Sequence, residues 1–280
     1  MYKHYRNGIE MSTWIFLRGL TRERRHWGDF VEQFQQSVTG SQVVELDLPG
    51  NGSLYQESSP WCVQDMLAHC RQQLIHQGIK PPYSLLAMSL GGMVAVAWSS
   101  RHPQEIASNV LINCSMRPFS PFYKRLRPAN YGALLRLAFS NVTSEAWERT
   151  VLRLTSNMAS DEILSRWSGM RMECPVSRAN ALRQLVAAAG FRAPETQPPV
   201  PTLVLASEQD HLVSVECSKA LAKHWQCRLR IHTSAGHDLT LDDGPWVAAQ
   251  VRAWLLDTLG MPPEPAFNGV HPLLSEARSR

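Results

Sequence analysis

The sequence predicts an α/β fold, a doubly wound and mostly parallel sheet of about six strands with an all-helical lid insertion. Three observations support this prediction: short apolar runs alternate with helical patterns, one run turns abruptly into a helix at a serine, and one long segment has helical patterns only. Parallel strands are buried on both faces and need helical crossovers between them, so this alternation is typical of a doubly wound sheet.

Six short apolar runs mark the predicted strands, which are residues 14–17, 43–48, 83–88, 109–113, 202–206 and 229–233. Helical spacing of apolar residues fills the intervals between them. Ser59 and Pro60 are placed like an N-cap and the first helical residue of a helix over 61–74. After the third strand, one apolar face is predicted from Met93, Val94, Ala97 and Trp98, and a last amphipathic helix covers 246–255.

The 280 residues, 44% of them hydrophobic, suffice for one large core. We assign residues 11–115 and 198–260 to that core, 116–197 to the lid, 1–10 to a disordered leader and 261–280 to a loosely held tail. No apolar run approaches the roughly 18 residues of a membrane span, and the first ten residues lack the apolar region of a secretory signal. A soluble, cytoplasmic protein is expected.

Charge is unevenly distributed along the chain. The net charge is +4, yet residues 116–195 contain twelve Arg and Lys against six Asp and Glu. This basic block is either a solvated helical surface or a docking face for an anionic partner. No nucleic-acid motif accompanies it, so nucleic acid is not an expected partner, and nothing indicates the oligomeric state.

Neither metal nor cofactor is expected. The six cysteines show no C-x-x-C spacing and no ligand-like pairing with histidine, so we expect reduced thiols packed as small hydrophobic groups. A G-x-G-x-x-G loop and a P-loop lysine are also missing from the sequence, so a nucleotide cofactor is not implied.

The candidate nucleophile is Ser89, at the junction of the third strand and the following helix. The surrounding Ala87-Met88-Ser89-Leu90-Gly91 is close to the nucleophile elbow G-x-S-x-G, where small residues flank a serine because strand and helix backbones approach closely. Ala87 replaces the first glycine. Since alanine accepts a positive φ only at a cost, this replacement makes the motif less specific while keeping a small side chain there.

A serine hydroxyl needs a base and an acid that orients the base. Asp210 follows the fifth predicted strand and His237 follows the sixth, so both belong at the carboxyl edge of the sheet with Ser89. Glu208 is a second candidate for the acid, since either carboxylate can hydrogen-bond an imidazole. The order serine, acid, histidine is that of α/β-hydrolases.

Together with Leu17-Arg18-Gly19-Leu20 and Asp47-Leu48-Pro49-Gly50-Asn51-Gly52, these motifs resemble the α/β-hydrolase superfamily over residues 12–259, and within it small serine esterases such as pimeloyl-carrier-protein methyl ester esterases. The resemblance implies a helical lid over the active site and an oxyanion hole from the backbone N–H groups of Leu90 and Leu20. The sequence departs from the family in two places: Arg18-Gly19 stands where these enzymes usually have His-Gly, and the one or two antiparallel strands that commonly precede this motif are not expected.

Two further groups are candidates for substrate binding. Arg18 either binds a carboxylate or phosphate of the substrate or pairs with a surface acid. The lid is expected to shape the acyl pocket, with candidate linings Trp147, Trp167, Leu134, Leu135, Phe139 and Met158.

Three functions fit these motifs. The first is a carboxylesterase that cleaves small-molecule, thioester or acyl-carrier-protein esters through an acyl-enzyme on Ser89. The second is a carbon–carbon hydrolase or lyase that uses the same triad of Ser89, His237 and Asp210 on an anionic substrate. The third is an inactive hydrolase fold that serves as a receptor or scaffold.

Overall fold

The computed structural model describes residues 5–6, 9–10 and 12–259, and a six-stranded parallel sheet forms the centre of this part of the chain. The strands are β1 (Tyr5–Arg6), β2 (Ile9–Glu10), β3 (Ser12–Leu17), β4 (Ser41–Leu46), β5 (Tyr83–Met88), β6 (Ile106–Ile112), β7 (Thr202–Ser207) and β8 (Arg228–His232). The central sheet has the order β4-β3-β5-β6-β7-β8, while β1 and β2 pair only with each other, antiparallel. The predicted fold class is therefore confirmed.

Each predicted strand overlaps one observed strand of the central sheet. In the parallel register, Ala87 of β5 lies between Leu17 of β3 and Leu111 of β6. All six residues of β5 are buried, as are all six of β7, because helices cover both faces of the sheet. The carboxyl ends of β3, β5, β6 and β7 consequently meet at one edge.

Ten α-helices accompany the strands in the described residues. They are α1 (Phe30–Ser37), α2 (Val63–His76), α3 (Leu90–Arg101), α4 (Phe122–Arg125), α5 (Tyr131–Phe139), α6 (Ser144–Thr155), α7 (Asp161–Glu173), α8 (Arg178–Gly190), α9 (Val215–Trp225) and α10 (Leu239–Leu259). Short 3₁₀ turns cover Arg24–Trp27, Gly52–Leu54, Pro103–Glu105 and Pro128–Asn130.

Two apolar layers hold helices against opposite faces of the sheet. Residues of α2, α3 and α9 share one buried cluster with the sheet, and residues of α1 and α10 share the other. Trp14, Phe16, Phe30 and Phe34 form part of the second cluster, with ring centroids 4.9–5.9 Å apart in their contacts. Apolar burial on both faces stabilises the doubly wound arrangement.

Helix α3 is buried more completely than the sequence predicts. Its residues 90–99 are all buried, so the expectation of one apolar face is too narrow. Small residues explain how this is possible, since Gly91, Gly92, Ala95 and Ala97 let the sheet and the neighbouring helices approach on several sides.

Helices α4–α8 lie between β6 and β7, where the sequence predicts the lid. The predicted helices over 131–139, 144–155, 161–170 and 178–189 are observed with end shifts of at most three residues. Side chains of Thr143, Ser160 and Ser177 cap the first turns of α6, α7 and α8, which explains why these helices begin where they do. The exact limits of the lid stay a prediction.

The beginning of α2 differs from the sequence prediction. Cys62 is its N-cap, and the Ser59 hydroxyl instead donates to the Pro49 carbonyl at 2.7 Å. The predicted last helix is part of α10, which is kinked at Asp243 and buries Val247, Val251 and Trp254. The predicted tail over 261–280 and most of the predicted leader lie outside the described residues. No helix in the described residues is long and apolar enough to cross a membrane.

Candidate active site

Ser89 lies between β5 and α3 in a conformation that L-residues rarely adopt. Its φ of 51° and ψ of −114° fall outside the favoured regions, and such strain is concentrated at functional sites. The positive φ belongs to the serine itself, whereas Ala87 lies in the regular ladder of β5. Alanine in place of the first glycine of the motif therefore carries no conformational penalty here.

Three glycines allow the backbone segments around Ser89 to come together. A Cβ on Gly91 would lie 2.4 Å from the Leu17 carbonyl oxygen, and one on Gly92 would lie 2.1 Å from the Cys114 sulfur. A Cβ on Gly19 would lie 3.2 Å from the Cβ of Ser89. At Gly91 the clash is with backbone, so this position requires glycine. A side chain on Gly92 would displace the Cys114 thiol, and one on Gly19 would need a shift of a few tenths of an ångström.

His237 and Asp210 are in direct contact. The Nδ1 of His237 is 2.7 Å from Oδ2 of Asp210, and both residues are buried. The other carboxylate oxygen accepts the backbone N–H groups of Leu212 and Val213, each at 2.8 Å, which fixes the carboxylate. Glu208, the alternative acid, is exposed. The structure thus places Asp210 where a group that orients His237 would lie.

Burial and charge act in opposite directions on His237. Desolvation alone would lower its pKa, but the neighbouring Asp210 carboxylate outweighs burial, and the pKa is raised above its usual 6.5. A base with a pKa near the working pH accepts and returns a proton efficiently. The pair is therefore chemically suited to proton transfer with Ser89, which lines the same cavity as His237.

Asn113 supports the histidine loop, and sequence reasoning did not identify it. It follows β6 with a φ of 47°, donates to the His237 carbonyl at 2.7 Å and accepts the Ser207 backbone N–H at 2.8 Å. These bonds tie together the ends of β6 and β7 and the backbone of His237. The one sequence signal for this role is an asparagine at the end of a strand, because asparagine tolerates the left-handed region better than most residues do.

Leu20 and Leu90, the predicted oxyanion-hole residues, both line the cavity beside Ser89. Among residues 12–259, neither backbone N–H has an acceptor. The Leu20 loop is held by residues of α8 and α6: the Thr21 N–H donates to Gln184 Oε1 at 2.8 Å, and Arg22 pairs with Glu148 at 2.5 Å. Gln184 and Glu148 are both fully covered, and neither was identified from the sequence.

Arg18 lines the cavity, but its guanidinium group is engaged by Asp238. Nη1 lies 3.1 Å from Oδ1 of this carboxylate and Nη2 lies 2.5 Å from Oδ2, with only 2% of Arg18 exposed. Nη1 also donates to Thr240, and the group stacks 4.7 Å over Trp27. From the sequence, Arg18 was expected either to bind substrate or to pair with a surface acid. It pairs with an acid, but that acid is the buried Asp238, next to His237.

The cavity has a volume of about 260 Å³ and is mostly apolar. Of the predicted linings, Trp147 and Leu134 are among its walls. Trp167 is instead buried in a separate apolar cluster with Leu152 and Leu164. The remaining predicted linings are exposed to solvent outside the cavity, namely Leu135, Phe139 and Met158. An apolar cavity around a few polar groups is typical of a small-molecule site.

No group of three or more His, Cys, Asp or Glu side chains among the described residues is placed to hold a metal ion. All six cysteines, which lie within 12–259, are free thiols.

A strained serine at a strand-helix turn and a buried histidine-aspartate pair on one cavity are the arrangement known from hydrolases with a doubly wound sheet. A model of the alpha/beta hydrolase family matches residues 14–250. The chain belongs to this family.

Relatives of known name agree with this assignment. The chain is 27% identical over 270 residues to the biotin biosynthesis bifunctional protein BioHC of Teredinibacter turnerae, covering 87% of this chain and 44% of that protein. It is 32% identical over 92 residues to the pimeloyl-[acyl-carrier protein] methyl ester esterase of Chromobacterium violaceum, covering 33% and 34% of the two chains. The chain thus spans less than half the length of these relatives.

The solved structure of the enol-lactonase from Burkholderia xenovorans has the same fold. It superposes with a TM-score of 0.71 at 15% identity, covering 91% of this chain and 94% of that chain. At this identity the likeness concerns the fold alone.

Proposed function

We propose that the protein is a serine carboxylic-ester hydrolase. The observation that carries this proposal is the His237–Asp210 contact of 2.7 Å on the cavity that also exposes the strained Ser89. Family membership supports it, and so does the esterase name of one relative.

The proposed reaction has two halves. Ser89 Oγ attacks the ester carbonyl while His237 Nε2 takes its proton, and the N–H groups of Leu20 and Leu90 stabilise the oxyanion. His237 then gives this proton to the leaving alcohol, which leaves an acyl-enzyme on Ser89. In the second half His237 deprotonates a water, the water attacks the acyl carbonyl, and the proton returns to Ser89 as the acid is released.

Removal of the Ser89 hydroxyl tests the proposal. Ser89→Ala should lower hydrolysis of p-nitrophenyl butyrate at least about 1,000-fold, because the nucleophile is lost. Ser100→Ala, which changes an exposed serine on the same helix, should keep full activity. A fluorophosphonate should label the wild-type protein at Ser89. Undiminished hydrolysis by Ser89→Ala would show that the nucleophile is elsewhere, and failure of labelling would favour a receptor or scaffold.

The substrate is proposed to be a small ester or an acyl-carrier-protein ester. The basic lid and the carrier-protein ester in the name of one relative support the second form. Free thiols in all described cysteine positions fit a reducing compartment, so we place the enzyme in the cytoplasm. The alternative of a lyase or carbon–carbon hydrolase relied on Arg18 to bind an anionic substrate. That support is lost because Arg18 is paired with Asp238. The reaction in ¹⁸O-labelled water separates hydrolysis from lyase chemistry, because only hydrolysis puts solvent oxygen in the acid product.

A further inference from the structure

Three buried arginines surround the active-site cavity. Arg18, Arg22 and Arg125 are 2%, 6% and 8% exposed, and all three line the cavity. Asp238 neutralises Arg18 and Glu148 neutralises Arg22. No carboxylate among the described residues lies within 4.0 Å of the Arg125 guanidinium, so this wall of the cavity has an uncompensated positive charge.

Arg125 has only backbone partners. Its Nη2 donates to the Ala188 carbonyl at 2.6 Å and its Nη1 to the Ala189 carbonyl at 3.4 Å, in the last turn of α8. The Nε–H has no partner although it is buried. Desolvation lowers the pKa of this guanidinium, yet arginine stays charged in proteins. A buried cation without an anion is unfavourable, and a bound anion would relieve the cost.

The other unpartnered groups around the cavity are of the same kind. Four residues of the cavity wall have a buried N–H without an acceptor: Arg18 and Arg125 at Nε, Arg22 at Nη2 and Trp147 at Nε1. All four are donors. These nitrogens are themselves covered, so a ligand does not reach them directly, but the unmatched polarity of the wall is positive at all four. A ligand that complements it carries acceptor oxygens with negative charge, as an ionised carboxylate or phosphate does.

We propose that this cavity binds esters carrying a second, anionic oxygen group, and that Arg125 is the counter-ion of that group. This inference rests on the proposed esterase function and specifies its substrate class, of which a half-ester of a dicarboxylic acid is the simplest member. The apolar walls then hold the methylene chain between the reacting ester at Ser89 and the anion at Arg125.

A purely structural role for Arg125, holding the end of α8, predicts a different result from anion binding. Loss of a structural support impairs charged and neutral substrates alike. Loss of an anion partner impairs only charged ones, and a hydrogen bond to a charged group corresponds to about a tenfold effect or more.

The first experiment compares monomethyl adipate with methyl hexanoate, which has the same chain length without the carboxylate. Wild type should prefer the half-ester in kcat/KM, and Arg125→Met should lower kcat/KM for monomethyl adipate at least about tenfold more than for methyl hexanoate, chiefly through KM. Arg125→Lys, which keeps the charge but loses the fork of donors, should fall between them. Arg127→Met removes a nearby arginine outside the cavity wall and should leave both rates unchanged.

A binding measurement separates this inference from the esterase proposal. Glutarate or inorganic phosphate should bind to the Ser89→Ala protein, as measured by calorimetry, and Arg125→Met in that background should weaken the binding at least about tenfold. Preference for glutarate identifies a carboxylate site and preference for phosphate a phosphate site. If neither anion binds, or if Arg125→Met does not weaken binding, the inference is overturned whether or not the protein hydrolyses esters.

Discussion

Arg18 and Asp238 form a bidentate ion pair, shielded from solvent, between the loop after β3 and the residue next to His237. The two residues are 220 positions apart in the sequence. Arg18 directly precedes Gly19, where an added Cβ would lie 3.2 Å from the Cβ of Ser89, so the pair connects the loop beside Ser89 to the backbone of His237. The Arg18 charge lowers the pKa of Asp238, opposing the rise that burial alone would cause.

We expect the stability contributions of Arg18 and Asp238 to be strongly coupled. Arg18→Met should lower the free energy of unfolding by about 3–5 kcal/mol, because it leaves a buried carboxylate unpaired. Asp238→Leu should cost a similar amount, while the double variant should cost clearly less than the sum. Urea unfolding monitored by circular dichroism measures all three. Additive losses would show that the pair does not act as a unit.

The pH dependence of hydrolysis should reflect the raised pKa of His237. Acyl transfer needs the neutral imidazole, so kcat/KM should rise with pH around a midpoint above 6.5. Asp210→Asn removes the carboxylate that raises the pKa, so the midpoint should move to lower pH, and the rate at the plateau should fall by about 10⁴. Rate profiles from pH 5 to 9 give both values. A midpoint that stays in place in Asp210→Asn would contradict the assignment of Asp210.

Two glycine substitutions should have opposite effects. Gly91→Ala should reduce both the folded fraction and the activity, because the new Cβ would lie 2.4 Å from the Leu17 carbonyl oxygen. Gly169→Ala is a matched control in α7, where a Cβ meets nothing within 4 Å, and it should stabilise the protein by up to about 1 kcal/mol. Thermal melting and p-nitrophenyl butyrate hydrolysis test both variants. Wild-type behaviour of Gly91→Ala would mean that α3 is packed less tightly than described.

Gln184 should affect the rate of hydrolysis although it has no hydrogen bond to Ser89, Asp210 or His237. Its side chain accepts the Thr21 N–H and donates to Asn51 at 2.8 Å and to Ser59 at 3.0 Å. Gln184→Met keeps the shape but leaves these groups unsatisfied, so we expect a loss of about 1–3 kcal/mol in stability and a lower kcat with little change in KM. Gln56→Met, on the exposed surface, should change neither. A normal kcat in Gln184→Met would show that the hydrogen bond from Thr21 to Gln184 does not affect the reaction.

Much of the fold followed from local patterns. Apolar runs such as 83–88 and 202–206 predicted strands because a strand buried on both faces needs continuous apolar sequence. The predictions were wrong where a contact with a distant part of the chain decides what a residue does. Ser59 was predicted to be an N-cap, but its hydroxyl donates a hydrogen bond to the Pro49 carbonyl. Leu135 and Phe139 were predicted to line the cavity because they are apolar, but both lie on the exposed side of α5.

The site was predictable to the extent that its residues follow strand ends. Ser89, Asp210 and His237 each follow a predicted strand, so topology alone brings them to one edge. The partners of Arg18 and Arg22 were not predictable, since Asp238 and Glu148 are ordinary acids on distant elements and only the folded chain brings each into a buried pair. Asn113 was missed for the same reason, as its bonds depend on how three loops meet.

Gln184 and Glu148 belong to helices between β6 and β7, yet they hold Thr21 and Arg22 of the loop that begins at the end of β3. If these helices swing outward, the Thr21 amide loses its acceptor and Arg22 loses its counter-charge at the same moment. Displacement of α6 and α8 would therefore disturb the loop after β3 without any change in the residues of that loop.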